Sequence, residues 1–333
     1  MGGRTAQLDR RTVAWLLDGD DASVRYLTLT SLLGMPPETP EVEAARAAIM
    51  TEGTVPRILA AQLDDGHWQA RDRFYTDKYR GTVWQLVILA ELVADGAEPR
   101  VRAACEAILR DSQDRESGAF SMARDKRAGG GLHRQVIPCL TGNMVWSLIR
   151  LGMADDPRVR RALDWITTYQ RFDDGDDEAP TGWPYQPYEI CWGRHTCHMG
   201  VVKALKALAA IPPDRRSPAV AQSLADGAEF MLRHHVHKRS HDLTKVAKPG
   251  WRRFGFPLMY QTDVLEVLGI LTSLGYRDER MVEALDLVAD AADADGRWSL
   301  ASTFNDRFVV PIETKGEPSR WVTLRALQVL SAA

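Results

Sequence analysis

A chain of 333 residues exceeds the usual size of one globular domain, although repeat and barrel architectures often build this much sequence around a single core. Hydrophobic residues make up 45% and charged residues 26%, which supplies enough apolar surface for a packed interior and excludes a disordered chain. The formal net charge of −3, with acids and bases interspersed, offers no sequence-wide field toward nucleic acid or anionic lipid.

The opening residues, Met1 to Ala6, lack the apolar stretch of a signal peptide, and Ala6 stands where a myristoylation signal needs Ser or Thr. The last residues, Leu330-Ser-Ala-Ala, include no prenylation Cys, and no apolar run approaches the length of a membrane span. A cytoplasmic protein with no transmembrane segment and no nucleic-acid partner is expected; no protein partner is legible. In that compartment Cys105, Cys139, Cys191 and Cys197 read as thiols or metal ligands in preference to disulfides.

The chain then resolves into a repeat. Six apolar segments align on one threonine each, Thr28, Thr82, Thr141, Thr196, Thr262 and Thr323, at steps of 54, 59, 55, 66 and 61 residues. Each segment is apolar almost all round, as in Gly81-Thr-Val-Trp-Gln-Leu-Val-Ile-Leu, which predicts a helix buried on both sides. A more amphipathic helix precedes each, as in Pro99-Arg-Val-Arg-Ala-Ala-Cys and Pro157-Arg-Val-Arg-Arg-Ala-Leu, with proline in the first turn and a charged outer face. Six outer–inner pairs without polar end caps predict a single all-α domain over residues 1–333, an α6/α6 toroid, with an insertion at about 233–257.

The links from outer to inner helices are similar to one another: Gln62-Leu-Asp-Asp-Gly66-His-Trp68, Gln113-Asp-Arg-Glu-Ser-Gly118-Ala-Phe120 and Asp293-Ala-Asp-Gly296-Arg-Trp298. They resemble the QW motif of squalene–hopene cyclases and their relatives, in which the Gln caps the outer helix and the aromatic packs onto the next. The resemblance covers nearly the whole chain and concerns fold and stability, not reaction. Arg194-His195-Thr196-Cys197-His198 resembles the His-Thr-Cys-Tyr stretch of protein farnesyltransferase β subunits, whose His binds a catalytic zinc. The resemblance places His195 at that ligand and Cys139, which opens an earlier inner helix, at the family's metal-binding Cys. Ile137 stands where the family has an Asp ligand. Cys191, four residues before His195, would share its helix face or stand beside it at the helix entrance, and supply the replacement. Two thiolates and an imidazole suit Zn2+ and leave a fourth position for water or substrate. The alternative is that all three are buried core residues.

The resemblance therefore implies a transferase or cyclase of the prenyltransferase and terpene cyclase superfamily, acting on an isoprenoid or similar hydrophobic small molecule in a central cavity. Lys78, Arg80, Arg134 and Arg252 are candidates to hold an anionic head group such as a diphosphate, the two arginines Arg80 and Arg134 lying just ahead of inner helices. Tyr79, Trp84, Trp146, Trp192, Trp251 and Tyr260, with Asn143 among them, are candidates to line the cavity, or simply to fill the interface between helix layers. Asp263, one turn before Glu266 in an apolar segment, and His198, one turn after His195, are candidate proton carriers. The acidic run Phe172-Asp-Asp-Gly-Asp-Asp177 contains the letters of both terpene cyclase acid motifs but lies in a linker, where a solvated loop is expected. Two other readings remain open: a non-catalytic toroid that binds a ligand or protein, and a polysaccharide lyase or hydrolase, for which the tryptophans permit sugar stacking.

Overall fold

The computed structural model describes residues 9–333; residues 1–8, which include the segment inspected above for export and acylation signals, lie outside the described residues. The architecture is mostly helical, with four short strands among the described residues. No helix among them is long and apolar enough to cross a membrane. The chain divides into two compact units, one comprising Leu59–Phe230 with Met259–Gln261, the other comprising Met231–Leu258, Thr262–Ala333 and the described part of Met1–Ile58.

In the first of these units, helices α5 (Thr82–Glu91), α7 (Pro138–Leu148) and α10 (His198–Ala209) pack side by side in succession, with α6 (Pro99–Asp111) against α5 and α8 (Pro157–Tyr169) against α7. Every residue of α5 is buried, as its all-round apolar sequence requires, whereas α6 and α8 bury one stripe each, Val101, Ala104 and Ile108 in the former and Val159, Ala162 and Ile166 in the latter. Proline opens α6, α7 and α8, where its missing N–H costs nothing. Gly142 lets α7 approach α10 closely; a Cβ there would lie 2.5 Å from the Lys203 carbonyl.

In the other unit, α12 (Val264–Ser273), α14 (Arg320–Ala332) and the π-helical turn Thr28–Leu32 that continues α2 (Ala22–Leu27) follow one another, with α13 (Val282–Asp290) against α12 and α14 and α3 (Pro40–Thr51) against α2. The two ends of the described chain meet here. The Trp321 indole N–H donates to Asp21 Oδ2 at 2.8 Å, and the Trp15 ring lies between the guanidiniums of Arg297 and Arg320 at 4.6 and 4.2 Å. The stretch expected to be an insertion carries a small antiparallel hairpin, β1 (Lys238–Arg239) with β2 (Asp242–Val246).

The three QW-like links explain why three of the six segments align on threonine. In each, the backbone N–H of the aromatic donates to the threonine hydroxyl of the inner helix that follows: Trp68 to Thr82 at 3.3 Å, Phe120 to Thr141 at 3.1 Å, Trp298 to Thr323 at 2.9 Å. Gln62 and Gln113 each donate twice from one amide nitrogen, to the glycine carbonyl of their own loop (3.0 and 2.8 Å) and to a carbonyl in the first turn of the next outer helix, Arg100 (2.9 Å) and Arg158 (2.7 Å). Gly66, Gly118 and Gly296 share a positive φ, which closes the same turn each time. Asp293 replaces the glutamine in the third link and accepts from Asp295 and Arg297 N–H within its own turn, both at 2.9 Å.

Candidate functional site

The richest cluster of aromatic and polar side chains surrounds the amino-terminal ends of α5 and α7. The segment before α5 turns back on itself, Arg80 and Gly81 N–H donating to the Asp77 carbonyl at 2.7 and 2.8 Å, and this brings Tyr75, Lys78 and Tyr79 beside Trp84 in the helix's first turn. Trp84 is fixed by its indole N–H on the Tyr75 carbonyl at 2.9 Å. The rings of Tyr75 and Tyr79 lie 5.1 and 5.0 Å from Trp84, and Tyr260 lies 6.2 Å from Trp84 and 6.4 Å from Tyr79. The Lys78 ammonium sits over three of these faces, 4.5 Å from Tyr260, 5.1 Å from Tyr75 and 5.9 Å from Trp84. Burial raises the Tyr75 phenol, so that it stays protonated across the physiological range.

Three amides are wired into this cluster through their nitrogens. Gln85 donates to the Tyr79 carbonyl at 2.9 Å, Asn143 to the Met259 carbonyl at 3.0 Å and Gln261 to the Tyr79 hydroxyl at 3.2 Å. Because carbonyl oxygens can only accept, the first two contacts fix which end of the amide is nitrogen. The oxygen ends of all three, and the Ser147 hydroxyl one turn beyond Asn143, are buried without a hydrogen-bond partner among the described residues. Each such atom costs about 1–3 kcal/mol relative to a satisfied one.

Among the described residues no group of three His, Cys, Asp or Glu side chains is arranged to hold a metal ion. Cys191 belongs to the four-residue helix α9 (Glu189–Trp192), which Gly193 ends in an extended conformation, and α10 begins only at His198, so Cys191 and His195 share no helix face. The His195 side chain is 55% exposed and directs Nδ1 at the Asp174 carbonyl at 2.9 Å. Burial pushes the Cys139 and Cys191 thiols up to about 12, which keeps both protonated. In this arrangement Cys139, Cys191 and His195 are not grouped to hold a metal ion.

The other expected residues fall into several places. Asp263 is the N-cap of α12: Oδ1 accepts from Glu266 N–H at 2.8 Å and Oδ2 from Gly255 N–H at 3.0 Å. Burial lifts its carboxyl to about 6 despite those two bonds. His198, the first residue of α10, meets the Phe230 ring edge-on at 5.1 Å. Arg80 and Arg134 are exposed. Trp146 carries the Lys206 ammonium at 3.9 Å, which also pairs with Glu91 at 2.6 Å. Trp192 is packed among Trp165 and Tyr185, at 6.0 and 5.3 Å, and serves the core. Trp251 is buried in the unit that holds α12, and Arg252 lines an open groove of about 480 Å³ there with His237, Lys238 and Glu283. The acidic run is not simply solvated. Asp173 accepts from Arg171 and from Thr196 Oγ1 (3.2 Å), Asp174 faces His195, and only the later Asp176 and Asp177 stand exposed.

Sequence reasoning missed a dyad. His133 places Nδ1 2.8 Å from Asp114 Oδ2 and stacks on Trp183 at 4.2 Å and 11°, while Trp183 donates its indole N–H to the His133 carbonyl at 3.0 Å. The signal was present in part, since Asp114 follows Gln113 inside the second QW-like link. Gln85 and Gln261, polar residues in otherwise apolar runs, also went unremarked.

No protein-family model matches the chain, and no curated protein does. Among solved structures it is similar to a family 76 glycoside hydrolase from a bovine Bacteroides thetaiotaomicron strain, at 15% identity over 99% of this chain and 71% of that one, with a TM-score of 0.50. It is also similar to a protein from Actinoplanes, at 17% identity over 97% of both chains and a TM-score of 0.45. A type II terpene cyclase from Scytonema, solved with its product merosterolic acid A, matches at 12% identity over 87% of this chain and 96% of that one, with a TM-score of 0.30. The likeness to the glycoside hydrolase establishes a fold of the α/α toroid type.

Proposed function

We propose that this chain is a carbohydrate-active toroid that binds a glycan at the cluster of Tyr75, Tyr79, Trp84 and Tyr260. The observation that carries this reading is the set of orphaned oxygens on Gln85, Asn143 and Gln261 beside those rings. Gln85 and Asn143 each donate an N–H to a backbone carbonyl and keep an idle acceptor, which is the complement of a ligand rich in hydroxyl donors. Aromatic faces beside such acceptors suit a sugar, whose C–H faces stack while its hydroxyls bond at the rim. The acceptors are closed to solvent in this conformation, and Lys78, half-buried over the rings, is the side chain that withdraws when the ligand enters. Glycoside hydrolysis is the reaction to assay first, in keeping with the family 76 glycoside hydrolase whose fold the chain shares.

The isoprenoid reading keeps one specific observation: an ammonium, Lys78, set against three aromatic rings, the arrangement a diphosphate with a greasy tail would use. Titration of intrinsic tryptophan fluorescence with a panel of neutral oligosaccharides and with farnesyl diphosphate separates the two. Saturable quenching by an oligosaccharide, weakened at least tenfold in Tyr260→Ala, is expected. Saturation by farnesyl diphosphate alone would replace the glycan reading with the isoprenoid one.

A further inference from the structure

A second convergence of side chains, unused by the cluster above, surrounds Asp111, the last residue of α6. This carboxylate is fully buried and accepts from His67 Nε2 (3.0 Å), from Arg71 Nε and Nη2 (2.9 and 2.6 Å) and from Arg110 Nε and Nη2 (3.0 and 2.9 Å). Arg124 Nε lies 3.1 Å from Oδ1 but off the hydrogen-bonding line, so this buried N–H has no aligned acceptor. Burial alone would raise the Asp111 carboxyl; the bonds from Arg71, His67 and Arg110 outweigh it and hold the group down at about 2.

A carboxylate offers about four lone-pair positions, and six N–H groups crowd around this one. Three guanidiniums thus share one negative charge while remaining 41%, 45% and 25% exposed for Arg71, Arg110 and Arg124. The surrounding charge does not neutralise them. Asp72 pairs with Lys126 at 2.9 Å and stands 3.7 Å from Arg124, and Asp65 acts on Arg71, so four cations face three carboxylates. The excess continues into a neighbouring groove of about 410 Å³ lined by Arg110, Arg115, Arg158 and Arg161 with Glu106 and Asp114. There Arg158 is taken by Glu106 and Asp156, and Arg161 donates to the Arg115 and Glu116 carbonyls.

We propose that Arg71, Arg110 and Arg124 form a binding site for a tetrahedral oxyanion, a phosphate or sulfate group, preorganised by Asp111. Asp111 and His67 lock the inner edges of the guanidiniums, so their outward N–H groups are positioned before a ligand arrives. Planar forks with paired donors match phosphate and sulfate oxygens better than a lysine would. The site stands on its own geometry and is independent of the glycan reading.

Calorimetric titration of the full chain with sodium phosphate and sodium sulfate, at low and constant ionic strength, tests it. One saturable site per chain is expected, weakened at least tenfold in Arg71→Gln and in Arg124→Gln and unchanged in Lys245→Gln. Should either arginine variant fold poorly, the wild type decides: its Tm should rise with phosphate or sulfate above the value in chloride of equal ionic strength. A parallel titration with a hexose 6-phosphate identifies the source. Tighter binding than inorganic phosphate supports an anionic group carried on a sugar, and equal binding supports the free ion. Absence of saturable binding and of any Tm rise in the wild type, or unchanged affinity in both arginine variants, would reduce the cluster to a tie between α6 and the adjoining links and overturn the proposal.

Discussion

Two buried polar groups at the amino-terminal ends of inner helices behave in opposite ways. Asp263, before α12, has each of its oxygens engaged by a backbone N–H group. Asn143, in the first turns of α7, has its nitrogen occupied and its oxygen idle, and Gln85 in α5 repeats the pattern. The contrast separates architecture from recognition. A fully satisfied buried group is spent on holding the chain, whereas a half-satisfied one keeps an unmet bond that a ligand can complete. Asp263 stood out in the sequence as a catalytic acid because it is charged in an apolar segment, and that same property makes it an effective cap.

The largest effect expected from this contrast is in Asp263→Ala. The substitution leaves the Gly255 and Glu266 N–H groups buried without acceptors, and we expect a loss of about 2–4 kcal/mol in denaturant unfolding. A cost below about 1 kcal/mol would break the assignment of Asp263 to architecture. The pH dependence sharpens the same point. With its folded value raised from 3.8 to about 6, Asp263 favours the folded state most below pH 3.8. That contribution declines as pH rises through about 6, by on the order of 3 kcal/mol in all. Asp263→Asn removes the titration, so the difference in unfolding free energy between wild type and variant should change with pH between about 4 and 6 and be flat above.

Thr141→Val tests the link in the same fashion, since it removes the acceptor of the buried Phe120 N–H and should cost about 1–3 kcal/mol with the helix content preserved in circular dichroism. Ser147→Ala should have the smallest effect. Its hydroxyl is among the orphaned atoms, so deletion relieves a burial cost and should leave thermal stability unchanged or raised by up to about 1 kcal/mol. A loss of that size instead would reveal a bond to ordered water and weaken the contrast drawn here.

The helical repeat was legible because it rests on local signals: apolar runs without a polar face, prolines at first turns and a threonine at a fixed phase. The links were legible for the same reason, their glycines and aromatics being tied to one turn and one hydrogen bond. The site was not. The candidate zinc set came from a resemblance, and the extended backbone of Gly193, which ends the short helix of Cys191 before His195, has no local signal in the sequence. The pairing of Asp114 with His133, and of Gln261 with Tyr79, depends on chain segments far apart in sequence, and no period announces it.

The hydrogen bond from each aromatic to its threonine also staples the two ends of the intervening segment together. These closed segments span 14 residues from Trp68 to Thr82, 21 from Phe120 to Thr141 and 25 from Trp298 to Thr323. Closing a loop of 25 residues instead of 14 costs only about 0.5 kcal/mol more in chain entropy. Tyr75, Lys78, Tyr79, Arg124, His133 and Arg134 all lie within the first two of these segments. The scaffold therefore works as a set of clasps from which loops of differing length can hang, and a change of ligand would require rewriting a loop while leaving its clasp alone.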